Sequence, residues 1–392
     1  MLRILLPIVL FFTSLILSAQ QSIMGQVVDS SNQPLEAVYV YWDSNYAGAV
    51  TNSDGKFQLE IPAEADSLTF DQYEFELKKV SVKDFHANPI VQLKDYIIEL
   101  NEALVLSKKS DEILKDVLKA SKMKLNKSLL VHTFYREFIS VNNEFTTYSD
   151  GLLDYFIKRN SGKSDLFVKQ SRHFQLKTKE ESEELISLSI SSPFDIRDAL
   201  GNAFDFESIE KLLKEKNHYS FQISEFSDSE GKTIRKITIS PKEGVKELLM
   251  EGVILYDEET NLILDYNLKV SPETIPYSKL HNFVIAKIKI NDLNVHYNFR
   301  LDEGKYRLVF RRVHQDFYIK SGKKIDDSFQ FTSDFVVLDY KENEQPPVEF
   351  KKYRNRNLFE AGTNYTEEYW KSINAITPTQ KEQDLIDTLQ KN

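Results

Sequence analysis

The sequence predicts a mainly β protein, with an N-terminal β-sandwich followed by an α+β domain in which helices cover a large curved antiparallel sheet, a half-barrel. Three observations predict it. Short alternating segments separated by turn residues fill 25–62, and longer ones fill nearly all of 219–340. Between them, one amphipathic stretch at 108–124 predicts a helix that packs on the larger sheet.

The chain has 392 residues, which is long for one compact core, so we expect two domains after a short leading segment. We place a signal peptide at 1–20, the sandwich at 21–106, the sheet domain at 107–345 and a polar C-terminal extension at 346–392. The chain has no cysteine, which excludes disulfides, thiolate metal sites and a cysteine nucleophile. The net charge of −10 includes no basic arm, so we expect no nucleic-acid partner.

The first residues predict export. Arg3 gives a positive start, 4–17 is almost wholly apolar, and the small residues Ser18 and Ala19 follow, so we expect cleavage after Ala19 or Gln20. As a helix the apolar segment would span about 21 Å, less than the roughly 30 Å of a bilayer core. We therefore predict a periplasmic or outer-membrane-associated protein with no transmembrane span once the signal is removed.

The sandwich strands are predicted from period-two alternation at 24–28, 37–42, 49–51 and 57–61. The sequence at 52–55, Asn-Ser-Asp-Gly, contains residues that tolerate positive φ in a tight hairpin, and Pro62 ends the next strand by withholding an N–H. The oxygen ligands Asp43, Asn45, Asn52 and Asp54 also allow a calcium interpretation, but no EF-hand series ending in a glutamate is present, so hairpin chemistry is preferred.

These residues also carry a family resemblance. Its markers are Gly25, Pro34, Leu35, Ala37, Val38, Val40, Gly48, Thr51, Gly55, Phe57, Leu59 and 67–70. Their order and spacing resemble the carboxypeptidase-regulatory-like domain, a transthyretin-like β-sandwich of exported bacterial envelope proteins, over about 23–106. The resemblance implies a docking or accessory module. The chain departs from it at Gln72 and Glu74, which flank Tyr73 where the family usually has a glycine.

The second domain begins with a predicted helix at 111–124, whose apolar stripe includes Leu114, Val117 and Leu118 and whose N-cap is Ser110. Strand-like segments at 129–137 and 144–155 follow, and 206–213 is predicted as a second helix. Eight further strands are predicted at 219–226, 233–240, 247–256, 262–270, 283–293, 295–301, 305–319 and 329–340. Strands in this order predict one antiparallel meander.

This plan resembles the lipoprotein-carrier-like half-barrels of the bacterial envelope. The motif Phe-Tyr-Arg-Glu at 134–137, and Tyr365, Tyr369, Trp370 and Asn374 near the end, resemble recurrent features of envelope proteins that join such a region to the sandwich. In the extension, the basic run at 351–356 is interpreted as a solvated edge in preference to an anionic-lipid contact. A final helical turn is predicted at 385–389.

No catalytic signature emerges. The seven histidines are scattered, although His296 and His314 lie on neighbouring predicted strands and could meet, with Asp316 nearby. The sequence contains no nucleophile elbow, P-loop or dinucleotide fingerprint, and acidic pairs such as 257–258 and 326–327 fall in predicted turns. We therefore expect no enzyme activity and no cofactor, and we assign no catalytic, cofactor-binding or metal-ligating residue.

The sequence favours a non-enzymatic exported envelope protein, a sandwich docking module joined to a β-rich domain that binds an envelope protein. The alternative is a carrier of a lipid or another apolar ligand on the concave face of the half-barrel. The concave face discriminates between them, because helices that fill it favour the binding module and an apolar cavity favours the carrier.

Overall fold

A computed structural model of the chain describes residues 20–42, 48–96, 108–125, 128–158, 164–175, 195–228, 231–283, 286–302, 304–322, 325–342, 344–366 and 376–391. Outside these ranges lie nearly all of the predicted signal peptide, the end of the predicted sandwich at 97–106, and Asp43, Asn45, Tyr369, Trp370 and Asn374. None of the described helices is both long enough and apolar enough to cross a membrane.

The N-terminal unit is a two-layered sandwich. Its elements are β1 (Gln20–Val28), β2 (Tyr39–Tyr41), β3 (Ala49–Val50), β4 (Lys56–Pro62), β5 (Ser67–Asp71), β6 (Lys78–Ser81), α1 (Val82–Ala87) and β7 (Ile90–Gln92). One layer has the strand order β4-β1-β7 and the other β3-β2-β5-β6. Phe57, Phe70 and Phe85 meet between them, with centroids of Phe57 and Phe70 5.7 Å apart. The predicted sandwich is confirmed.

Two glycines of the sandwich are required by close approach of other atoms. A Cβ at Gly25 would lie 2.4 Å from the Phe85 ring and 2.6 Å from the Pro89 carbonyl oxygen. Gly55 has φ of +70°, and a Cβ there would lie 2.3 Å from the Val27 carbonyl oxygen. A side chain at either position would therefore disturb the β1 ladder.

The second unit contains one large sheet and several helices. Its elements are α2 (Ser110–Leu125), β8 (Leu129–Val141), β9 (Glu144–Ile157), β10 (Ser164–Gln175), α3 (Ala199–Phe204), α4 (Glu207–Lys214), β11 (Tyr219–Ser227), β12 (Thr233–Pro241), β13 (Met250–Asp257), β14 (Leu262–Val270), β15 (His281–Phe283), β16 (Ala286–Asp302), β17 (Lys305–Ser321), β18 (Ile325–Glu342) and α5 (Gln380–Lys391). The 3₁₀ turns Pro272–Tyr277 and Leu358–Ala361 lie in its connections.

The sheet has 11 strands in the order β10-β9-β8-β18-β17-β16-β14-β13-β12-β11, and β15 pairs with β16. All of these pairs are antiparallel, as predicted. The last strand, β18, returns to lie beside the first, β8, with Phe335 opposite Tyr135. One continuous antiparallel sheet therefore runs from 129 to 342, and among the described strands its end strands do not pair with each other.

Three sequence predictions need correction. The segments 283–293 and 295–301, predicted as two strands, are mostly the single strand β16, whose register shifts at 290/292 and 298/299 interrupt the alternation. Strand β10 was not predicted, and a register shift at 168/170 breaks its pattern in the same way. The final turn predicted at 385–389 is the 12-residue helix α5, in which Ile386 is buried.

The two faces of the sheet are covered by different parts of the chain. On the inner face, Tyr135, Leu153 and Phe335 belong to one large apolar cluster with residues of α2, α3 and α4. On the outer face, the neighbouring residues Phe134, Leu152 and Val336 pack with Tyr39 and Val50 of the sandwich and with Ile376. This alternation follows from strand geometry, in which successive side chains point to opposite faces.

Candidate functional site

The inner face, where an apolar ligand would have to bind, is packed with the protein's own side chains. Leu114 and Val117 of α2, together with Leu200 and Ile209, are fully buried in the same cluster as the sheet residues. Phe206, which joins α3 to α4, stacks on Phe299 with ring centroids 5.1 Å apart. Polar contacts fix this cover, since the Ser121 hydroxyl accepts from the Ile263 amide at 2.9 Å. This is the filled arrangement that favours a binding module.

The sandwich docks on the outer face through polar contacts at its rim. The Tyr73 hydroxyl donates to the Phe299 carbonyl oxygen at 2.7 Å. The Arg300 guanidinium pairs with Asp71 at 2.5 Å and lies over the Tyr39 ring, 4.8 Å from its centroid. Tyr41 and Tyr73 also present their rings to Arg300. The sandwich therefore uses part of its surface to bind its own sheet domain.

The motif at 134–137 distributes its side chains between both faces of β8. Phe134 and Arg136 face the sandwich side, and Tyr135 and Glu137 face the helix side. Arg136 and Glu137 are fully buried. Each contacts a different part of the chain beyond β18, so the motif ties the C-terminal extension to the sheet from both sides.

On the outer face, Arg136 belongs to a buried ionic cluster. Its Nε donates to Oδ2 of Asp334 at 2.7 Å, and Nε of Arg312 donates to Oδ1 of the same carboxylate at 2.6 Å. Burial alone would raise the pKa of Asp334, but Arg312 and Arg136 outweigh it and lower that pKa to about 2. Glu382 of α5 lies 3.4 Å from Nη1 of Arg136, and Glu36 of the sandwich contacts Arg312. The cluster thus joins residues from three separate parts of the chain.

On the inner face, Glu137 lies beside the 3₁₀ turn Leu358–Ala361. Its Oε2 accepts from the Tyr135 hydroxyl at 2.5 Å. Burial raises the pKa of Glu137 to about 7, although Tyr135, Ser149 and the amides of Phe359 and Leu358 act in the opposite direction. Near neutral pH this carboxyl is therefore close to half protonated.

The extension also covers one edge of the sheet. We call residues 344–366 the strap. Tyr353 and Asn364 of the strap form isolated bridges with Leu166 and Ser171 of β10. The Tyr353 amide donates to the Leu166 carbonyl oxygen at 2.7 Å, and the Asn364 amide donates to that of Ser171 at 2.7 Å. The strap thereby satisfies backbone groups on an edge that would otherwise invite pairing with another chain.

An open cleft of about 600 Å³ lies where the strap meets β10, and we call it the strap cleft. It is lined by Lys158, Ser164, Asp165, Leu166, Arg197, Asp198, Lys352, Tyr353 and Arg354. Lys158 and Lys352 both pair with Asp165, and Arg197 pairs with Asp195. The Arg354 side chain is exposed and forms no ion pair with any carboxylate in the described ranges. The cleft therefore has a cationic rim beside the apolar surface of Leu166 and Tyr353.

The histidines singled out from sequence have separate partners. Nε2 of His296 lies 2.9 Å from Asp265, and Nδ1 of His314 lies 2.9 Å from the Thr332 hydroxyl. Asp316 accepts instead from the Asn291 amide at 2.9 Å. Within the described ranges, no group of three or more histidine or acidic residues is placed to hold a metal ion.

The acidic pairs and the hairpin residues serve local structure. Asp257 accepts from the Thr260 amide and hydroxyl at 2.6 Å each, and Asp326 pairs with Lys320. The Asn52 side-chain oxygen accepts from the amides of Asp54 and Lys56, which is the hairpin chemistry predicted for this turn.

Sequence reasoning missed the partners of Arg136 and the role of Asn52 in holding the extension. The Asn52 side-chain amide donates to the Thr377 carbonyl oxygen at 3.0 Å. A signal for α5 was present at 379–382, where Thr379 and Glu382 form reciprocal bonds of 3.2 and 2.7 Å, a capping box. No comparable local signal marks the cleft, whose residues come from three distant segments.

Comparison with known families confirms the predicted sandwich. The family model of the CarboxypepD_reg-like domain matches residues 23–105. No curated protein matches the chain.

Three solved structures align with part of this chain at low sequence identity. Lipovitellin, in a structure titled for its lipid–protein interactions, aligns at 9% identity over 62% of this chain and 28% of its own, with a TM-score of 0.26. A DUF1329 family protein from Desulfovibrio piger aligns at 10% identity over 61% of this chain and 96% of its own, with a TM-score of 0.24. A LolA superfamily protein from Nitrosomonas europaea aligns at 11% identity over 63% of this chain and 99% of its own, with a TM-score of 0.20. The aligned part thus spans under a third of lipovitellin.

Proposed function

We propose that this chain, which carries a carboxypeptidase-regulatory-like domain at 23–105, is an exported, non-enzymatic protein of the cell envelope that binds a partner protein. The observation that carries the proposal is the filled inner face. Leu268, Phe299 and Phe335 each expose 0% of their surface beneath the helices, so the surface on which a carrier would hold its ligand is already occupied.

The buried ionisable groups support a structural role. Two buried carboxylates have shifted pKa values: Asp334 pairs with Arg136 and Arg312, and Glu137 accepts from Tyr135 beside the turn Leu358–Ala361. A catalytic group needs access to a substrate, and both carboxylates are buried within the fold. We therefore assign them to assembly of the protein and none of them to catalysis.

The strap cleft is the surface we assign to the partner. Its rim carries Lys158, Lys352 and Arg354, and its wall includes Leu166 and Tyr353. Arg354 is available for a charge-assisted hydrogen bond, and the ring of Tyr353 offers apolar contact. This combination suits a peptide segment that carries an acidic side chain next to an apolar one. The partner is accordingly an acidic segment of another envelope protein.

Native mass spectrometry of the protein purified from its own envelope tests the class of function. We expect a co-purifying protein and no bound lipid. A lipid that remains bound at one copy per chain would overturn the proposal and establish the carrier.

Two charge reversals on the strap test the location. Arg354→Glu should weaken the purified complex by about tenfold or more, because it replaces a charge-assisted contact with repulsion. Lys351→Glu is the matched control, since Lys351 is also exposed but does not line the cleft. Equal affinities of the two variants would exclude the strap cleft as the contact surface.

A further inference from the structure

Exposed apolar side chains gather at one corner of the large sheet. Four of the large apolar residues that the described chain exposes lie within 16 residues: Ile275 (36% exposed), Tyr277 (38%), Leu280 (42%) and Ile290 (39%). We call them the tip patch. Scattered exposed apolar residues need no explanation, but a concentrated group marks an interaction surface.

The backbone brings these residues together. His281 pairs with Ile288 in the β15–β16 ladder, so Leu280 extends toward Lys289 and Ile290. The Ser278 hydroxyl donates to the Ile290 carbonyl oxygen, which holds the loop against β16. The loop and the first part of β16, which carry the patch, are therefore held next to each other.

The loop is anchored, so its apolar residues are exposed on a fixed support. Thr274 is buried, and its hydroxyl lies 2.8 Å from the Ser271 carbonyl oxygen and 3.1 Å from that of Leu249. Pro272 and Pro276 restrict φ in the same 3₁₀ turn. The side chains of Ile275 and Tyr277 consequently face solvent on an ordered turn.

Basic residues surround the patch. Lys279 and Lys287 are exposed and Lys289 is half-buried, and none of them pairs with an acid in the described ranges. The nearest basic residue on the adjacent strand, Lys320, pairs with Asp326. Within 272–290 these three lysines outnumber the one acid, the exposed Glu273, so this segment is positive although the whole chain has a net charge of −10.

We propose that the tip patch contacts the surface of an anionic lipid bilayer. Leucine and isoleucine side chains enter the boundary between headgroups and acyl chains, tyrosine favours the headgroup level, and lysines attract anionic headgroups. A protein partner of the same corner would match the apolar residues, but the three lysines without carboxylate partners favour a surface of negative charge.

The patch and the strap cleft lie at opposite ends of the strands. β18 begins at Ile325, at the end of the sheet that carries the patch. Its other end, Glu342, pairs with Leu129 of β8, and Leu129 pairs in turn with Ile157 beside the cleft. At about 3.3 Å per residue, the 18 residues of β18 span about 56 Å along the strand. A protein resting on a membrane through the tip patch therefore keeps the cleft free, and this inference does not depend on the proposed partner.

Vesicle sedimentation tests the proposal with the purified chain and two lipid compositions, equal parts phosphatidylglycerol and phosphatidylcholine, or phosphatidylcholine alone. We expect binding to the anionic vesicles that is at least about tenfold stronger than to the neutral ones and that falls with added salt. Equal binding to both, or none to either, overturns the proposal.

Paired variants locate the contact. Leu280→Glu should reduce binding about tenfold or more, and Lys287→Glu should reduce it less. Met123→Glu, at an apolar position 68% exposed on α2, adds the same charge elsewhere and should change binding less than about twofold. If Leu280→Glu and Met123→Glu bind alike, the tip patch is not the contact. If Leu280→Glu abolishes capture of a protein but leaves vesicle binding unchanged, the patch binds that protein and the lipid proposal fails.

A spectroscopic variant gives an independent reading. Tyr277→Trp should show a blue-shifted emission on addition of anionic vesicles, relative to the unsubstituted chain, because the indole enters a less polar environment. An unchanged emission difference would contradict insertion of the patch.

Discussion

The two faces of the large sheet are buried by different means. The inner face is covered by α2, α3 and α4, whose apolar side chains form one cluster with Tyr135 and Phe335. The outer face is covered by the sandwich and by α5, which meet the sheet through small apolar clusters and through ionic contacts at Arg136, Arg300 and Arg312. Helices, together with Leu358 of the strap, thus bury one face, and the sandwich and α5 bury the other.

The apolar contacts of the inner face stabilise the folded sheet, whereas the ionic contacts of the outer face fix the positions of the sandwich and α5. Apolar burial is non-directional and tolerates small shifts, so it suits helices that need only cover a surface. A buried ion pair requires exact placement of both partners, because a misplaced charge in the interior remains unsatisfied. The outer contacts therefore specify how the sandwich and α5 sit on the sheet.

The largest effect is expected on the inner face, at Phe299. This side chain is fully buried and packs against Phe206, Tyr266 and Tyr306. Phe299→Ala should lower the free energy of unfolding by about 4 kcal/mol through lost burial and the cavity left behind. Urea denaturation followed by circular dichroism measures it, with the partly exposed Ile290→Ala as control. A loss below about 1 kcal/mol would show that the helices do not pack tightly on this face.

On the outer face, Asp334→Asn should cost about 3 kcal/mol, because Arg136 and Arg312 would be left in a buried site without a negative charge. Asp326→Asn is a matched control on the same strand. Asp326 pairs with Lys320 at the surface, where 58% of its side chain is exposed, so the substitution should leave the free energy of unfolding nearly unchanged. Similar costs for the two variants would mean that the buried cluster does not hold the outer face together.

The pH dependence of stability near neutral pH should report on the inner face, because Glu137 titrates there and Asp334 of the outer face does not. Its pKa rises from 4.5 to about 7 on folding, so between these values the folded protein holds a proton that the unfolded chain has released. Stability should therefore fall as pH rises through this window, by up to about 3 kcal/mol, and level off above it. Asp334, with its pKa lowered to about 2, should contribute no slope there.

Glu137→Gln isolates that contribution, since the amide keeps an acceptor for Tyr135 and does not titrate. In urea titrations at each pH, the free energy of unfolding of the variant minus that of the unsubstituted chain should increase as the pH rises from 5 to 8. Parallel pH profiles for the two proteins would show that Glu137 does not titrate in this window.

The smallest effect is expected at the rim of the sandwich. Tyr73→Phe removes the hydroxyl that donates to the Phe299 carbonyl oxygen and should cost about 1 kcal/mol. Tyr277→Phe, at an exposed tyrosine, should cost close to nothing, and thermal unfolding of both variants measures the difference. A cost at Tyr73 no larger than at Tyr277 would indicate that the sandwich is held by its apolar contacts alone.

The inner face could be predicted from the sequence because its signals are local. The stripe of Leu114, Val117 and Leu118 predicted a helix at 111–124, and the structure has Ser110–Leu125. Alternation between turn residues likewise predicted most strands of both units. Prediction failed where a bulge shifts the alternation, at β10 and within β16, because period two is then lost without any change in the strand itself.

The outer face could not be predicted because its signals are pairwise and distant. The motif at 134–137 stood out, but nothing near it indicates that Arg136 meets Asp334, 198 residues later, or Glu382 of α5. Helix α5 was underestimated for a similar reason. Its buried residue Ile386 packs on Phe138 and Tyr148, so the length of the helix depends on a surface formed elsewhere in the chain.

The hydrogen bond from Asn52 to Thr377 joins positions 325 residues apart, and this has a kinetic consequence. Closing so long a loop has a large entropic cost, which is offset only once the contacts across it have formed. We therefore expect this part of the structure to form last. Because the chain is synthesised from its N-terminus, the sandwich is complete long before residues 376–391 are made. Until then Val50 lacks its neighbour Ile376, and Arg136 lacks Glu382. We therefore expect a protease-sensitive folding intermediate whose lifetime is set by arrival of the C-terminal helix.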